Sequence, residues 1–259
     1  MVQNESPLTK LLSRLNLTQL SDDNFEGGSG VGGVTVENRL FGGLVAAQAF
    51  VAASRTSELN LHSLHSYFLR PARPEKPILY KVKKAKEGRN FHVRSVEALQ
   101  DNDLIFQMQA SFTNQSEVPR HQESPPKPPG PEECPNRDEL RGRRISDAPI
   151  DVRMATPITE SESLPPHQHI WLKPTGPLPD DANIHLAMLI YASDRTLLDT
   201  AWRPHANMGE HSGASLDHSV WVHRPTDFNA WHLYTMSSPS ASLGRGLAFG
   251  AIYDRQGNR

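Results

Sequence analysis

The stretch SLDHSVWVHRP, residues 215–225, repeats a phrase that occurs earlier in the chain as SLHSYFLRP, residues 63–71. Each copy follows an apolar run and precedes several β-rich runs that are broken by turn residues. The apolar runs predict one buried helix within residues 41–56 and a second within residues 183–202. The order of elements is therefore duplicated, and the sequence predicts an α+β fold in which an antiparallel sheet wraps a long helix, twice.

A proline-rich segment separates the two copies. Residues 119–135 read PRHQESPPKPPGPEECP and hold seven of the 21 prolines, a density that neither a helix interior nor a sheet accommodates. The sequence thus predicts an N-terminal domain over residues 1–118, a linker over 119–149 and a C-terminal domain over 150–259. The second copy stops at the turn after which the first copy continues into a final strand, so we expect the last strand of the second domain to be missing.

Charge and composition exclude several functional classes. The net charge of −2 and the pI near 6.6 provide no general attraction to nucleic acid or to an anionic membrane. The one basic cluster, Arg141, Arg143 and Arg144, is short, and we expect it to lie in a solvated loop. A single cysteine, Cys134, excludes an internal disulfide and a cysteine zinc cluster. The low cysteine count is typical of proteins in a reducing compartment.

We expect no secretory signal or membrane span at the beginning of the chain. Polar residues interrupt every apolar run of MVQNESPLTKLLSRLNL, so this segment predicts neither a secretory signal nor a membrane span. We therefore expect a cytoplasmic protein, or a peroxisomal one if the source is eukaryotic.

The opening stretch brings serine, aspartate and histidine close together, yet strand geometry argues against a catalytic triad among them. Side chains alternate along a strand, which puts Ser215, Asp217 and Ser219 on one face and His218 on the other. The chain has no G-x-S-x-G sequence, which would mark a serine nucleophile on a sharp turn. A half-buried strand with paired polar side chains is the favoured interpretation.

Asp194 is the carboxylate that the sequence singles out. If residues 184–201 form one helix, Ile190 and Leu198 lie one turn either side of Asp194, inside the apolar stripe. Burial there is costly for a carboxylate and would raise its pKa towards that of a general base. The alternative is an aspartate at the edge of the stripe, bonded to a turn or to Arg195.

Two other kinds of site receive less support. Asp180 and His185 match the spacing of the D-x4-H dyad of acyl-CoA hydratases, but the proline of that motif is absent and the segment is typical of a helix N-cap. The 12 histidines are scattered without a pair at metal-ligand spacing. We expect neither a metal nor a cofactor.

The longer motifs resemble the acyl-CoA thioesterase II family over nearly the whole chain and in the family's order. In the first half they are LFGGLVAAQAF, LHSYFLRP and EGRNFHVRSVEALQ; in the second they are GPLPDDANIHLAMLIYASDRTLLDTAWRPH, ASLDHSVWVHRP and SPSASLGRGLAFGAIYDRQG. The resemblance implies a double hotdog, in which two tandem hotdog domains each wrap a sheet around a long helix, and assembly into homo-oligomers. It further implies hydrolysis of medium- to long-chain fatty acyl-CoA without a metal or a covalent intermediate.

The resemblance also implies the catalytic residues. The family's aspartate, in a Y-x-S-D motif, falls on Asp194, and its hydroxyl residue falls on Ser215. Asp194 would remove a proton from a water that Ser215 helps to hold, and backbone N–H groups near a helix N-terminus would stabilise the thioester oxygen. The family's third catalytic residue is a glutamine on the last strand. The motif that carries this glutamine does not occur in the present sequence.

Two alternatives accompany this interpretation. A chain without the last strand could be a weakly active or inactive module that binds acyl-CoA or assembles with other subunits. A hydratase that uses Asp180 and His185 would instead leave the thioester intact.

Overall fold

The computed structural model of the chain describes residues 5–28, 35–36, 39–114, 119–145, 148–158, 162–205 and 213–259. The helices are α1 (Pro7–Leu15), α2 (Gly42–Ser54), α3 (Arg137–Leu140), α4 (Ala182–Ser193) and α5 (Leu197–Trp202), with a short 3₁₀ helix at Pro131–Glu133. The strands are β1 (Thr18–Ser21), β2 (Asn24–Gly27), β3 (Thr35–Val36), β4 (Arg39–Leu40), β5 (Asn60–Phe68), β6 (Ile78–Glu87), β7 (Phe91–Gln100), β8 (Asp103–Thr113), β9 (Ile150–Met154), β10 (His167–Pro174), β11 (Asp217–Trp221), β12 (His232–Ser242) and β13 (Arg245–Tyr253).

Two antiparallel sheets carry the predicted duplication. The first has the order β1-β2-β6-β7-β8-β5-β11, and the second, β9-β10-β12-β13, repeats the order β1-β2-β6-β7. The two copies of the repeated phrase are hydrogen-bonded neighbours, since β5 pairs with β11 so that Ser66 lies opposite His218 and Leu64 opposite Val220. The α+β fold predicted from the repeat is confirmed.

The long helices α2 and α4 lie in one continuous core. Helix α2 is apolar almost all round and is buried along nearly its whole length, as expected for a helix covered on every side. It packs against α4 and against β5, β6, β7 and β8. Because the same cluster of buried residues includes Phe50 from α2 and Tyr191 from α4, the two repeats share their hydrophobic interior.

The second helix is shorter than its apolar periodicity predicts. The prediction of one helix over residues 184–201 is wrong: α4 ends at Ser193, and α5 begins after a break of three residues. One tertiary and one local contact satisfy carbonyl groups at this end: the Tyr234 hydroxyl donates to Ser193 O (2.9 Å), and the Ser193 hydroxyl donates to Ile190 O one turn back (2.9 Å). Asp194 is therefore the C-cap residue of α4 and not part of a helical stripe.

The proline-rich segment packs on the second repeat. The indole N–H of Trp171 donates to Pro129 O (2.9 Å), and Arg137 pairs with Asp199 of α5 (2.6 Å). The predicted domain boundary after residue 118 falls on residues 115–118, which lie outside the described residues, and the division into domains stays a prediction.

The second repeat differs from the first at its central strand. In the first repeat β8 bonds to both β7 and β5, whereas the described residues of the second repeat contain no strand that joins β13 to β11. The predicted lack of a last strand stays a prediction. In the part of the chain that the structure describes, no helix is long and apolar enough to cross a membrane.

Candidate active site

The structure brings the two predicted site residues together. The Ser215 hydroxyl donates a hydrogen bond of 2.8 Å to Oδ1 of Asp194, although 21 residues separate them in sequence. Both residues are half-buried and line a cavity of about 830 Å³. A carboxylate and a hydroxyl that share a hydrogen bond at a cavity wall can together position and deprotonate a water.

Asp194 lies between the ends of two helices. It caps the C-terminus of α4, and the N-terminus of α2 faces it so closely that a Cβ added at Gly42 would lie 3.0 Å from Oδ2 of Asp194. Phe41, the N-cap of α2, provides no side-chain hydrogen bond to the first turn. The partial positive charge of that helix end is therefore directed into the site, where it favours an anion.

Several groups act on the pKa of Asp194. Burial is the largest effect and raises the pKa; the charge of His218, the hydrogen bond from Ser215 and the backbone N–H of Gly43 oppose it. Burial lowers the pKa of His218 itself. The carboxyl group is thus a stronger base than an exposed aspartate, while its ionised form still has hydrogen-bond donors around it.

His218 also belongs to the site, although it is not among the residues that the sequence predicts there. Its Nε2 lies 2.8 Å from the Ser193 hydroxyl, and because that hydroxyl donates its proton to Ile190 O, His218 is the donor to Ser193. His218 O in turn accepts a hydrogen bond from Ser66 of β5 (2.8 Å). The buried histidine thus ties the end of α4 to the strand pair β5–β11, directly beside Asp194.

The predicted faces of the opening stretch are confirmed only in part. Within β11, Asp217 is exposed and His218 is buried, as alternation requires. Ser215, predicted to share the Asp217 face, instead turns inward to Asp194 because it precedes the strand, where alternation does not apply. The guanidinium of Arg39 donates to Gly213 O (2.6 Å) and so holds the loop that carries Ser215.

The residues of the hydratase alternative do not form a dyad. Nδ1 of His185 accepts from Phe228 N (2.9 Å), so its Nε2 carries the proton and donates to Pro179 O (3.0 Å). The helix cap is Asp181, whose carboxylate accepts from Asn183 N, and Asp180 is exposed. Both nitrogens of His185 are therefore occupied by backbone groups, which leaves neither for catalysis.

The lining of the cavity is divided between apolar and basic side chains. The apolar part includes Leu40, Val45, Phe68, Ile105 and Phe106. Among the described lining residues, nine lysine and arginine side chains stand against three carboxylates. Such a cavity fits a ligand that carries both apolar and anionic groups.

Sequence comparison finds the same two units. A family model described as acyl-CoA thioesterase matches residues 145–259, and one described as acyl-CoA thioesterase N-terminal domain matches residues 32–113. The chain is 34% identical to acyl-coenzyme A thioesterase 8 of Mus musculus over 270 aligned residues, covering 95% of this chain and 84% of the relative. It is likewise 34% identical to acyl-CoA thioesterase 2 of Haemophilus influenzae over 270 residues, covering 96% and 93%.

Solved structures of related proteins are also similar to this chain. The acyl-CoA thioesterase II TesB2 from Mycobacterium marinum superposes with a TM-score of 0.81 at 36% identity, covering 96% of this chain and 93% of the other. A tesB protein from Mycobacterium avium subsp. paratuberculosis gives 0.83 at 32% identity, covering 98% and 95%. A hot dog fold protein of unknown function from Alicyclobacillus acidocaldarius, 18% identical with a TM-score of 0.79 over 96% and 93%, supports the fold alone.

Proposed function

Because the chain belongs to the acyl-CoA thioesterase family and hydrolyses acyl-CoA thioesters, we propose that Asp194 and Ser215 carry out this hydrolysis on medium- to long-chain substrates. The single observation that carries the assignment is the hydrogen bond between these two residues in the wall of a large cavity. The apolar lining of that cavity, including Phe68 and Phe106, favours a substrate with an extended hydrocarbon chain.

The proposed reaction needs one water and no covalent enzyme intermediate. Asp194 takes a proton from the water that Ser215 helps to hold, and the water oxygen forms a bond to the thioester carbon. The carbon–sulfur bond then breaks, the carboxyl group of Asp194 returns its proton to the departing CoA sulfur, and the free fatty acid remains. The same carboxylate acts in both steps, so holding the water and the thioester in a fixed orientation next to Asp194 contributes to the rate.

We assign the stabilisation of the developing oxyanion to the N-terminus of α2. Gly42 lines the cavity next to Asp194, and Phe41 leaves the first turn of the helix without a side-chain cap. The backbone N–H of Gly42 and the partial positive charge of the helix end are suited to the negative charge that grows on the thioester oxygen.

A matched pair of aspartate variants tests the assignment. We expect Asp194→Asn to lower kcat for acyl-CoA by about 100-fold or more, because the amide cannot accept the proton of the water. Asp217→Asn is the control, since Asp217 is exposed on β11 outside the cavity. The measurement is release of CoA thiol from a panel of acyl-CoA substrates. If Asp194→Asn hydrolyses them as fast as the wild type, another residue is the base.

The same panel addresses the two alternatives. A module that only binds acyl-CoA would show saturable binding without thiol release, and a hydratase would convert an enoyl-CoA to a hydroxyacyl-CoA with its thioester intact. Family membership and the backbone bonds of His185 favour neither outcome.

We also propose that chains of this protein associate into homo-oligomers. Leu247 and Phe249 of β13 are 51% and 57% exposed, and Trp221 of β11 is 59% exposed. β11 and β13 are edge strands of the two sheets, and large apolar side chains that stay exposed at such edges are typical of an interface between subunits.

A further inference from the structure

The cavity has basic lining residues that the proposed chemistry does not use. Although the whole chain has a net charge of −2, nine basic side chains and three carboxylates line this one cavity among the residues described. Positive charge is therefore concentrated in this cavity, and a concave surface of one sign raises the local concentration of an oppositely charged ligand.

Three of these cations come from the segment between the repeats. Arg141, Arg143 and Arg144 follow helix α3, line the cavity and are exposed. Their backbone is folded into a compact turn, since the N–H groups of Arg141 and Arg143 both donate to Asp138 O (3.0 and 2.8 Å) and Gly142 between them has a φ of +69°. The turn presents three guanidinium groups within four residues.

This turn is anchored to the part of the fold that carries Asp194. The buried guanidinium of Arg137 pairs with Asp199 of α5 at 2.6 Å, which fixes α3 against the second repeat. Burial lowers the pKa of Arg137; the charge of Asp199 opposes this effect, and the nearby charges of Arg141 and Arg195 add to it. Because Arg195 follows Asp194 directly in sequence, positive charge extends from the exposed turn to the catalytic carboxylate.

We propose that Arg141, Arg143 and Arg144 bind the phosphate groups of the CoA nucleotide. This inference rests on the proposed function, in which the thioester lies at Asp194 and the acyl chain against the apolar lining. The remaining part of the substrate, the phosphorylated nucleotide, is strongly anionic and must extend towards solvent. Guanidinium groups bind phosphate oxygens in bidentate geometry and need little desolvation at an exposed site, so the arginine-rich turn is suited to that end.

Calorimetric titration with free CoA tests this directly. We expect the variant Arg141→Gln/Arg143→Gln/Arg144→Gln to bind CoA roughly tenfold more weakly than the wild type, with a smaller dependence of Kd on salt. The control, Lys81→Gln/Lys83→Gln/Lys86→Gln, removes the same charge from exposed positions of β6 outside the cavity and should retain the wild-type Kd. Equal affinity of the arginine variant and the wild type would overturn the proposal, as would equal losses in the two variants.

A substrate without the nucleotide separates phosphate binding from a structural role. We expect the arginine variant to have a raised KM for acyl-CoA but a wild-type KM for the acyl-pantetheine thioester with the same acyl chain. A similar rise for both substrates would mean that the turn only shapes the cavity. If the wild type released thiol from neither substrate, the proposed function would fail, while the titration with CoA would still decide the assignment of the arginines. The Arg→Lys triple variant, which keeps the charge, should recover part of the affinity.

Discussion

At the scale of single residues, the site depends on how one carboxylate is balanced between burial and hydrogen bonding. Burial raises the pKa of Asp194, and the Ser215 hydroxyl and the N–H of Gly43 limit the rise. A base with a raised pKa accepts a proton more readily, yet it must still be ionised at the working pH. The surroundings of Asp194 suit both requirements of the proposed base.

Replacing Ser215 should shift the pH dependence of hydrolysis. In Ser215→Ala the carboxylate loses a hydrogen bond that lowers its pKa, so the acidic limb of the kcat/KM profile should move to higher pH. We also expect kcat to fall about tenfold, since the water loses one of its contacts. Ser215→Thr keeps a hydroxyl and is the control: it should retain the wild-type limb. An unshifted limb in Ser215→Ala would argue against the coupling of these two residues.

Asp194 should also reduce the stability of the folded chain near neutral pH. Its pKa is raised in the folded state above the ordinary 3.8, so the folded state binds the proton more tightly, and stability is lost as pH rises through that interval. Asp194→Asn should therefore have a higher Tm than the wild type at pH 7, and the difference should disappear at pH values below 3.8. Thermal unfolding at several pH values measures this, and a Tm difference that does not change with pH would contradict it.

At the scale of elements, the site is formed where two helix ends meet. Helix α2 begins at Gly42 and α4 ends at Ser193, and the approach of the two ends depends on the missing side chain at Gly43. A Cβ added there would lie 2.7 Å from Tyr191 O and 2.5 Å from Cε1 of Phe41. The contact with a backbone oxygen leaves little freedom to relax, so the spacing between the helix ends requires glycine.

Substitution of Gly43 should separate the helix ends. Although alanine is the better helix former, we expect Gly43→Ala to destabilise the fold by about 1–3 kcal/mol through overpacking. We also expect it to lower kcat, since α2 moves away from Asp194. Gly28→Ala is the control because an added Cβ meets nothing within 4 Å there. Denaturant unfolding and thiol release measure the two effects, and a fully active, stable Gly43→Ala would show that the close approach is not required.

At the scale of the whole molecule, the double hotdog is held together by both copies of the repeat. Strand β11 of the second repeat completes the sheet of the first, and α2 and α4 share one hydrophobic core. The site uses both repeats, since Asp194 and Ser215 come from the second and Gly42 and Arg39 from the first. Neither repeat alone contains the complete arrangement.

The exposed apolar side chains of β13 provide a test of assembly. We expect a mass above that of one chain in light scattering coupled to size exclusion, and a shift towards the monomer in Phe249→Ser, which removes apolar area from the proposed interface. Leu20→Ser is the control, because Leu20 is similarly exposed (55%) but lies on β1 of the first sheet, whereas Phe249 lies on β13 of the second. A wild type that remains a monomer at high concentration would contradict the proposal.

The sequence by itself determined the duplicated α+β fold, and its apolar periodicity pointed to Asp194, whereas Ser215 was predicted only from the resemblance to the thioesterase family. Apolar periodicity, turn residues and a repeated phrase are local signals, and they are readable because each element must bury its own apolar face. Local periodicity extended the second helix too far, however, because the end of α4 depends on a hydrogen bond from the distant Tyr234. It also put Ser215 on the wrong face, because the bend before β11 follows no alternation.

Only the tertiary structure decided how these residues act together. The hydrogen bond between Ser215 and Asp194, the donation from His218 to Ser193 and the approach of Gly42 to the carboxylate all join positions far apart in the chain. The sequence predicts that the cluster of Arg141, Arg143 and Arg144 lies in a solvated loop. These arginines are exposed, but they also line the cavity that contains Asp194 and Ser215. Local sequence carries no information on such distances, since they follow from the packing of the two repeats about a shared core.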